Sequence, residues 1–210
     1  MVVGTGTGVG KTWTSARLLA ALRGAGVSVA ARKPAQSFDP GDDPARLDAA
    51  VLGAATGESP ETVCRPDRWY EAAMAPPMAA DALGRGRLTV ADLERELAWP
   101  PQRVDVGLVE SVGGVRSPQA HDGDAVSLLR VLDPDVVLLV ADAGLGVLNA
   151  VRLSVDVLPE GTDVVVVLNR YDPGSDLHVR NRRWLSSQDG LATAALPGEE
   201  AALVARVKGG

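Results

Sequence analysis

The sequence predicts a single doubly wound α/β domain built on a mostly parallel sheet. Three observations predict it. Short runs rich in valine and leucine alternate with longer helical patterns along the whole chain, the order that parallel βα units produce. Several of these runs, 136–141 and 164–168 among them, are apolar without alternation, as expected of strands covered on both faces. The 210 residues contain no repeat, low-complexity tract or linker that would divide them, and that length suits one domain of this kind.

Strands are expected at 1–3, 27–32, 104–109, 135–141, 163–168 and 192–196. The first is short for a central strand: either it is cut down, or translation starts upstream of Met1. Helices are expected at 11–23, 44–52, 78–83, 90–98, 124–132, 148–158 and 176–185. Gly24 and Gly26 stop the first of them, and Thr89 with Asp92 forms a capping-box pattern ahead of the fourth. The segment 60–77 carries Pro60, Pro66, Pro76 and Pro77 and reads as an irregular excursion that shapes a pocket rim.

Composition narrows the function. Hydrophobic residues make up 46% and charged residues 23%, so disorder is not the main state. A formal charge of -6 argues against a nucleic-acid scaffold, which needs a basic footprint. The apolar runs are too short to span a bilayer, and the N-terminus lacks a signal-peptide pattern. With Cys64 as the one cysteine, neither an internal disulfide nor a thiolate zinc site is available. A cytoplasmic protein without membrane or nucleic-acid partners is expected.

The strongest motif is Gly4-Thr5-Gly6-Thr7-Gly8-Val9-Gly10-Lys11-Thr12. It follows a strand and opens a helix, the context of a phosphate-binding loop, and marks the fold as the P-loop NTPase type. Gly8, Val9 and Gly10 would turn backbone N–H groups toward phosphate oxygens. The helix N-terminus adds partial positive charge. Lys11 would bridge the β- and γ-phosphates, and the Thr12 hydroxyl would ligate Mg²⁺. The standard spacing would need glycine at Thr5, so this loop is one residue longer. A dinucleotide fingerprint fails, because its third glycine would fall on Val9 or Lys11.

Ligands in open α/β sheets gather at the carboxyl ends of the strands. There the chain places Lys33-Pro34 with Ser37 soon after, Glu110, Asp142, Asn169-Arg170 and Pro197-Gly198. Glu110 can hold Mg²⁺ beside the loop threonine, and Asp42, Asp43 or Asp48 could supply a second carboxylate. Lys33 suits a developing phosphoryl charge. His121, His178 and Cys64 have no partners at functional spacing, and Arg180-Asn181-Arg182-Arg183 reads as a solvated helix face.

Together these residues resemble the dethiobiotin synthetases. The loop GTGTGVGKT is similar to that family's G-T-x-T-x-V-G-K-T, and Lys33-Pro34 with Ser37 matches its lysine-proline turn. Glu110-Ser111-Val112-Gly113-Gly114 stands where the family has Glu-Gly-Ala-Gly-Gly. Leu145-Gly146-Val147-Leu148-Asn149-Ala150 stands where it has L-G-x-(I/L)-N-H, and Asn169 matches an asparagine after the fifth strand. The resemblance spans nearly the whole chain and is weakest over 60–105.

The resemblance implies an ATP- and Mg²⁺-dependent ligase of biotin synthesis. CO₂ adds to one amine of 7,8-diaminopelargonate as a carbamate, ATP phosphorylates it, and the second amine closes a cyclic urea. It implies Lys11 and Lys33 around the transferring phosphoryl, and Thr12, Asp48 and Glu110 on Mg²⁺. Thr7, Ser37 and Gly113 would lie on the amines or carbamate. The turn Gly146, Val147, Leu148 and Asn149 would take the substrate carboxylate across a homodimer interface. Asn169 would read the adenine edge, with Pro197, Gly198 and Glu199 covering the base. Ser111, Val112 and Ala150 depart from the family on the diamine side. An alternative is therefore a related ligase acting on another amine; a more remote one is a partition-ATPase-like nucleotide switch.

Overall fold

The six expected strands all form in the computed structural model, which describes residues 1–209. They are β1 (Val2–Gly4), β2 (Val29–Arg32), β3 (Val106–Val109), β4 (Val137–Asp142), β5 (Val164–Asn169) and β6 (Ala192–Ala195). β1, β4, β5 and β6 form one parallel ladder in that order. β2 pairs in parallel with β3, and a parallel bridge from Val2 to Glu110 joins the two groups. The spatial order is thus β2-β3-β1-β4-β5-β6, with the shortest strand in the middle. Strand ends differ from the expected ones by one or two residues.

The helices are α1 (Lys11–Gly24), α2 (Asp48–Thr56), α3 (Pro60–Val63), α4 (Pro76–Ala82), α5 (Val90–Glu96), α6 (Ala125–Leu132), α7 (Val147–Val155), α8 (Asp176–Ser187) and α9 (Glu200–Lys208). They cover both faces of the sheet, because successive strand residues point to opposite sides. Val2, Leu138 and Val165 pack with Leu18, Leu19 and Leu22 of α1, Leu52 of α2 and Leu203 of α9. Val3, Leu139 and Val166 pack with Leu128 of α6, Val151 of α7 and Leu185 of α8. Each fully buried leucine contributes roughly 1.5–3 kcal/mol of apolar transfer energy. Two-sided burial is the physical reason the strand sequences lack alternation.

Three expectations need correction. The helix expected over 44–52 is two elements: a 3-10 turn at Pro44–Arg46 ends at Leu47, whose extended backbone (ψ 150°) starts α2 afresh. The excursion over 60–77 is more ordered than expected. It holds α3, a 3-10 turn at Pro66–Arg68, and a two-residue strand, Trp69–Tyr70, parallel to Gln36–Ser37. Helix α9 was not expected from the sequence. It buries only Leu203 fully, so its apolar period is faint and tertiary packing on α1 supplies the support. The Thr89–Asp92 capping box forms in full. No helix among the described residues is long and apolar enough to cross a membrane.

Candidate active site

The glycine-rich loop turns from β1 into α1 and is held from the far side by the end of β5. Asn169 donates from Nδ2 to the Val9 carbonyl at 2.9 Å, and Arg170 donates from Nη2 to the Gly8 carbonyl at 2.9 Å. With these two carbonyls engaged outside, the neighbouring amides are left for an anion. Gly10 caps α1 at φ 95°, and a Cβ there would lie 2.0 Å from Asn169 Nδ2. Lys11 is buried, and its Nζ donates to the Gly6 carbonyl at 3.0 Å.

Beside this loop, side chains from α1, α2 and the ends of β2 and β3 meet. Thr12 Oγ1, on the first turn of α1, lies 2.6 Å from Asp48 Oδ1 and 2.8 Å from Glu110 Oε1. Lys33, just past β2, places Nζ 2.7 Å from Asp48 Oδ2 and 2.8 Å from Glu110 Oε1. Ser15, one helical turn beyond Thr12, donates to Glu110 Oε2 at 2.6 Å. Asp48, the first residue of α2, is the acid that reaches the cluster. Asp42 and Asp43 are spent on local turns, accepting from Asp39 N and Ala45 N.

Charge sets the protonation states. Burial alone would depress the Lys33 ammonium, but Asp48 and Glu110 outweigh it and hold Lys33 above the usual lysine value. Asp48 is held below the usual carboxylate value: burial opposes this, and Lys33 and the Thr12 hydrogen bond overcome it. Lys11 is lowered to about 8 by burial and then by the charge of Lys33, with Glu110 and Asp48 opposing.

The donor set suits a hard cation. Thr12 carries one hydroxyl proton yet faces two carboxylate oxygens, so one of the two contacts lacks a hydrogen and leaves unbalanced negative charge. Among the described residues, no group of three His, Cys, Asp or Glu side chains gathers to hold a metal by itself. Two carboxylates and a hydroxyl fit a magnesium ion that keeps waters and phosphate oxygens as its other ligands.

On the other side of the loop lies an open cleft of about 630 Å³ bordered by Thr7, Arg116, Asn149 and Leu153. Gly113 sits behind it with φ 65°. The buried Gln119 holds this wall, accepting from Val112 N at 2.9 Å and donating to Val112 O at 2.8 Å. Gly146 caps α7 at φ 91°. Val147 is buried and Leu148 packs against the core, so of the expected carboxylate turn Asn149 is the residue whose side chain borders the cleft. Ser37 follows the bend after Lys33, and its Oγ has no partner among the described residues.

The residues expected around the nucleotide fall as a group near the end of β5. Tyr171 N donates to the Leu196 carbonyl at 3.0 Å, which brings the exposed Pro197 and Gly198 beside Asn169. Glu199 is not free: Arg182 grips it through two 2.8 Å contacts. The run 180–183 is therefore not simply a solvated face, for Asn181 is also buried and donates to the Ala143 carbonyl. Sequence reasoning passed over Ser15 and Gln119, and placed Arg170 at a strand end without giving it a role. The helical spacing from Thr12 could have found Ser15; Gln119 left no local signal.

Fold and site define a mononucleotide-binding α/β protein with a P-loop and an acid–lysine cluster at its phosphate end. A family model described as an AAA domain (AAA_26) matches residues 1–196. The ATP-dependent dethiobiotin synthetase of Haloferax mediterranei is 36% identical over 198 residues, 93% of this chain and 82% of that protein. That of Anaeromyxobacter dehalogenans is 36% identical over 179 residues, 83% and 78% of the two chains. The chain belongs to the dethiobiotin synthetase family. Among solved structures, the signal recognition particle receptor FtsY of Elizabethkingia anophelis aligns with a TM-score of 0.51 at 18% identity, over 92% of this chain and 56% of that one; the likeness is one of fold.

Proposed function

We propose that this chain is an ATP-dependent dethiobiotin synthetase, joining 7,8-diaminopelargonate and CO₂ into a cyclic urea with cleavage of ATP to ADP and phosphate. The observation that carries the reading is the meeting of Thr12, Asp48, Glu110 and Lys33 beside the phosphate loop, one loop's width from the open cleft.

The chemistry follows from that layout. A carbamate oxygen leaves poorly until it is phosphorylated, and phosphoryl transfer is chiefly positioning and charge neutralisation. Thr12, Asp48 and Glu110 would hold Mg²⁺, which would neutralise phosphate charge during the transfer. Lys11 turns from the Gly6 carbonyl to the phosphates. Lys33, held protonated by two carboxylates, balances charge on the transferring group. Thr7 and Ser37 offer hydroxyls to the carbamate, and the Gly113 wall orients the second amine.

The protein acts in the cytoplasm as a homodimer. Leu145 is 93% exposed and Leu153 61% exposed, flanking the Gly146–Asn149 turn with apolar surface that a second copy would cover. Sedimentation analysis reads the assembly state, and a Leu153→Asp variant that stays as associated as the parent would remove this argument.

Incubation with ATP, Mg²⁺, bicarbonate and 7,8-diaminopelargonate, followed by mass spectrometry, tests the reaction. Dethiobiotin that disappears in Lys11→Ala supports it. ATP hydrolysis without the cyclic urea would transfer the reading to another amine, in keeping with Ser111 and Val112 on the diamine side.

A further inference from the structure

We infer that Gln36 is a positioning residue for Asp48: from a neighbouring strand it supplies the cap that helix α2 lacks, and so fixes the carboxylate at the metal-facing end of that helix. This inference rests on the metal reading of Thr12, Asp48 and Glu110 proposed above.

The argument begins at the start of α2. A helix leaves its first N–H groups without intrahelical partners, and a side-chain oxygen at the N-cap usually takes one of them. Here the N-cap is Leu47, which has no oxygen to offer and makes no side-chain cap. Helical geometry is interrupted at Leu47 after the Pro44–Arg46 turn, and no side chain from that turn caps the helix beyond. The missing acceptor comes from eleven positions before Leu47 in sequence: Gln36 Oε1 accepts from the Ala49 N–H at 3.0 Å, in a buried contact. Ala49 directly follows Asp48.

Gln36 is itself held firmly. It is 3% exposed and lies in the two-residue strand that pairs Gln36 with Trp69 and Ser37 with Tyr70. The same bend carries Lys33. One short segment therefore delivers both the lysine that pairs with Asp48 and the amide that anchors its helix. Asp48 needs such an anchor: its side chain is 38% exposed, against 0% for Glu110, and it stands at a helix end, where fraying is easiest. The Glu110 backbone is fixed by a strand end, whereas the Asp48 backbone stands at the start of a helix.

A second observation sets Gln36 apart from an ordinary cap. Its Nε2 is buried and has no partner among the described residues. A buried amide with one half unsatisfied is costly, and a glutamate there would keep the acceptor without the idle donor. A neutral amide spares the neighbourhood of Asp48 and Glu110 a third negative charge, which would compete for Lys33.

The test compares Gln36→Met, which keeps the length but removes the acceptor, with Gln36→Glu, which restores an acceptor oxygen. Hydrogen exchange at the Ala49 amide reads the cap in the protein without ligands. Mn²⁺ binding in the presence of ADP, followed by electron paramagnetic resonance, reads the metal site independently of turnover. The Mg²⁺ concentration for half-maximal rate reads its consequence. Gln36→Met is expected to speed Ala49 exchange at least tenfold, to weaken Mn²⁺ binding about five- to thirtyfold, and to raise the Mg²⁺ requirement in parallel, while the KM for the diamine stays within twofold. Gln36→Glu is expected to return exchange at Ala49 to within threefold of the parent. Faster exchange with unchanged metal binding in Gln36→Met would overturn the inference and leave the metal reading intact. Metal binding unaffected by Asp48→Asn would overturn the metal reading, and this inference with it.

Discussion

Lys33 and Glu110 form an ion pair closed to solvent, with Nζ 2.8 Å from Oε1 and side-chain exposures of 2% and 0%. Removing one member of such a pair strands the other in a low-dielectric site, at a cost of about 3–5 kcal/mol. Lys33→Met is therefore expected to lose about that much stability in urea unfolding at pH 8, besides its catalytic defect. The loss should shrink at pH 5, where the unpaired carboxylates can take up protons. Equal losses at both pH values would contradict the buried-pair account.

Lys11 carries a pH signature. Burial and the charge of Lys33 hold its ammonium at about 8 before nucleotide arrives. A bound phosphate favours the protonated form, so ATP binding above pH 8 must take up a proton. Affinity for ATP is expected to be flat below pH 8 and to fall by up to about tenfold per pH unit above it. Calorimetry in buffers of different ionisation enthalpy measures the uptake, and Lys11→Met should abolish it. For stability the sign is opposite: between about 8 and the ordinary lysine value of 10.5 the folded chain binds fewer protons than the unfolded one. This group's contribution therefore favours folding increasingly as pH rises through that window.

Gly10 is bound twice over, by its positive φ of 95° and by the 2.0 Å approach of Asn169 Nδ2 to any added Cβ. Gly10→Ala should cost at least a hundredfold in ATP affinity while the core melts as a unit. Asn169→Ala removes the collision but not the dihedral, so the double variant should recover only part of the loss. Full recovery would show that the backbone demand at Gly10 is unimportant.

Arg170 bridges the loop to the sheet, with Nη1 2.5 Å from Asp142 Oδ2 and Nη2 2.9 Å from the Gly8 carbonyl. A charged donor to a carbonyl contributes about 1.5–3 kcal/mol at most, less at an exposed site. Arg170→Ala should raise the KM for ATP about three- to tenfold and leave that for the diamine alone. Steady-state kinetics with each substrate varied in turn would detect the reverse pattern, which would count against the loop-pinning role.

The legible part of this protein was its periodicity and its strand ends. The apolar runs located all six strands because each strand must fill both faces of the sheet. Lys33, Glu110 and Asn169 stood out because a polar residue directly after such a run sits at the ligand end. A single helix is expected over 44–52 because a proline start looks the same before a 3-10 turn as before an α-helix; the extended backbone at Leu47 separates the two. Local pattern could not separate Asp48 from Asp42 and Asp43, since all three are acids in one polar stretch; the family resemblance pointed to Asp48.

The sequence by itself determined the fold class, the phosphate loop and the family, because these depend on local pattern: burial period, glycine placement and the residue after each strand. Tertiary structure alone decided the geometry in which Asp48 meets Thr12, how Asn169 and Arg170 brace the loop, and that Gln36 caps a helix it does not belong to. Those contacts link residues 36 to 162 positions apart, or in the case of Gln36 reach 13 positions across an intervening turn. Such pairings are set by the packing of whole elements against the sheet, and no run of neighbouring residues records them.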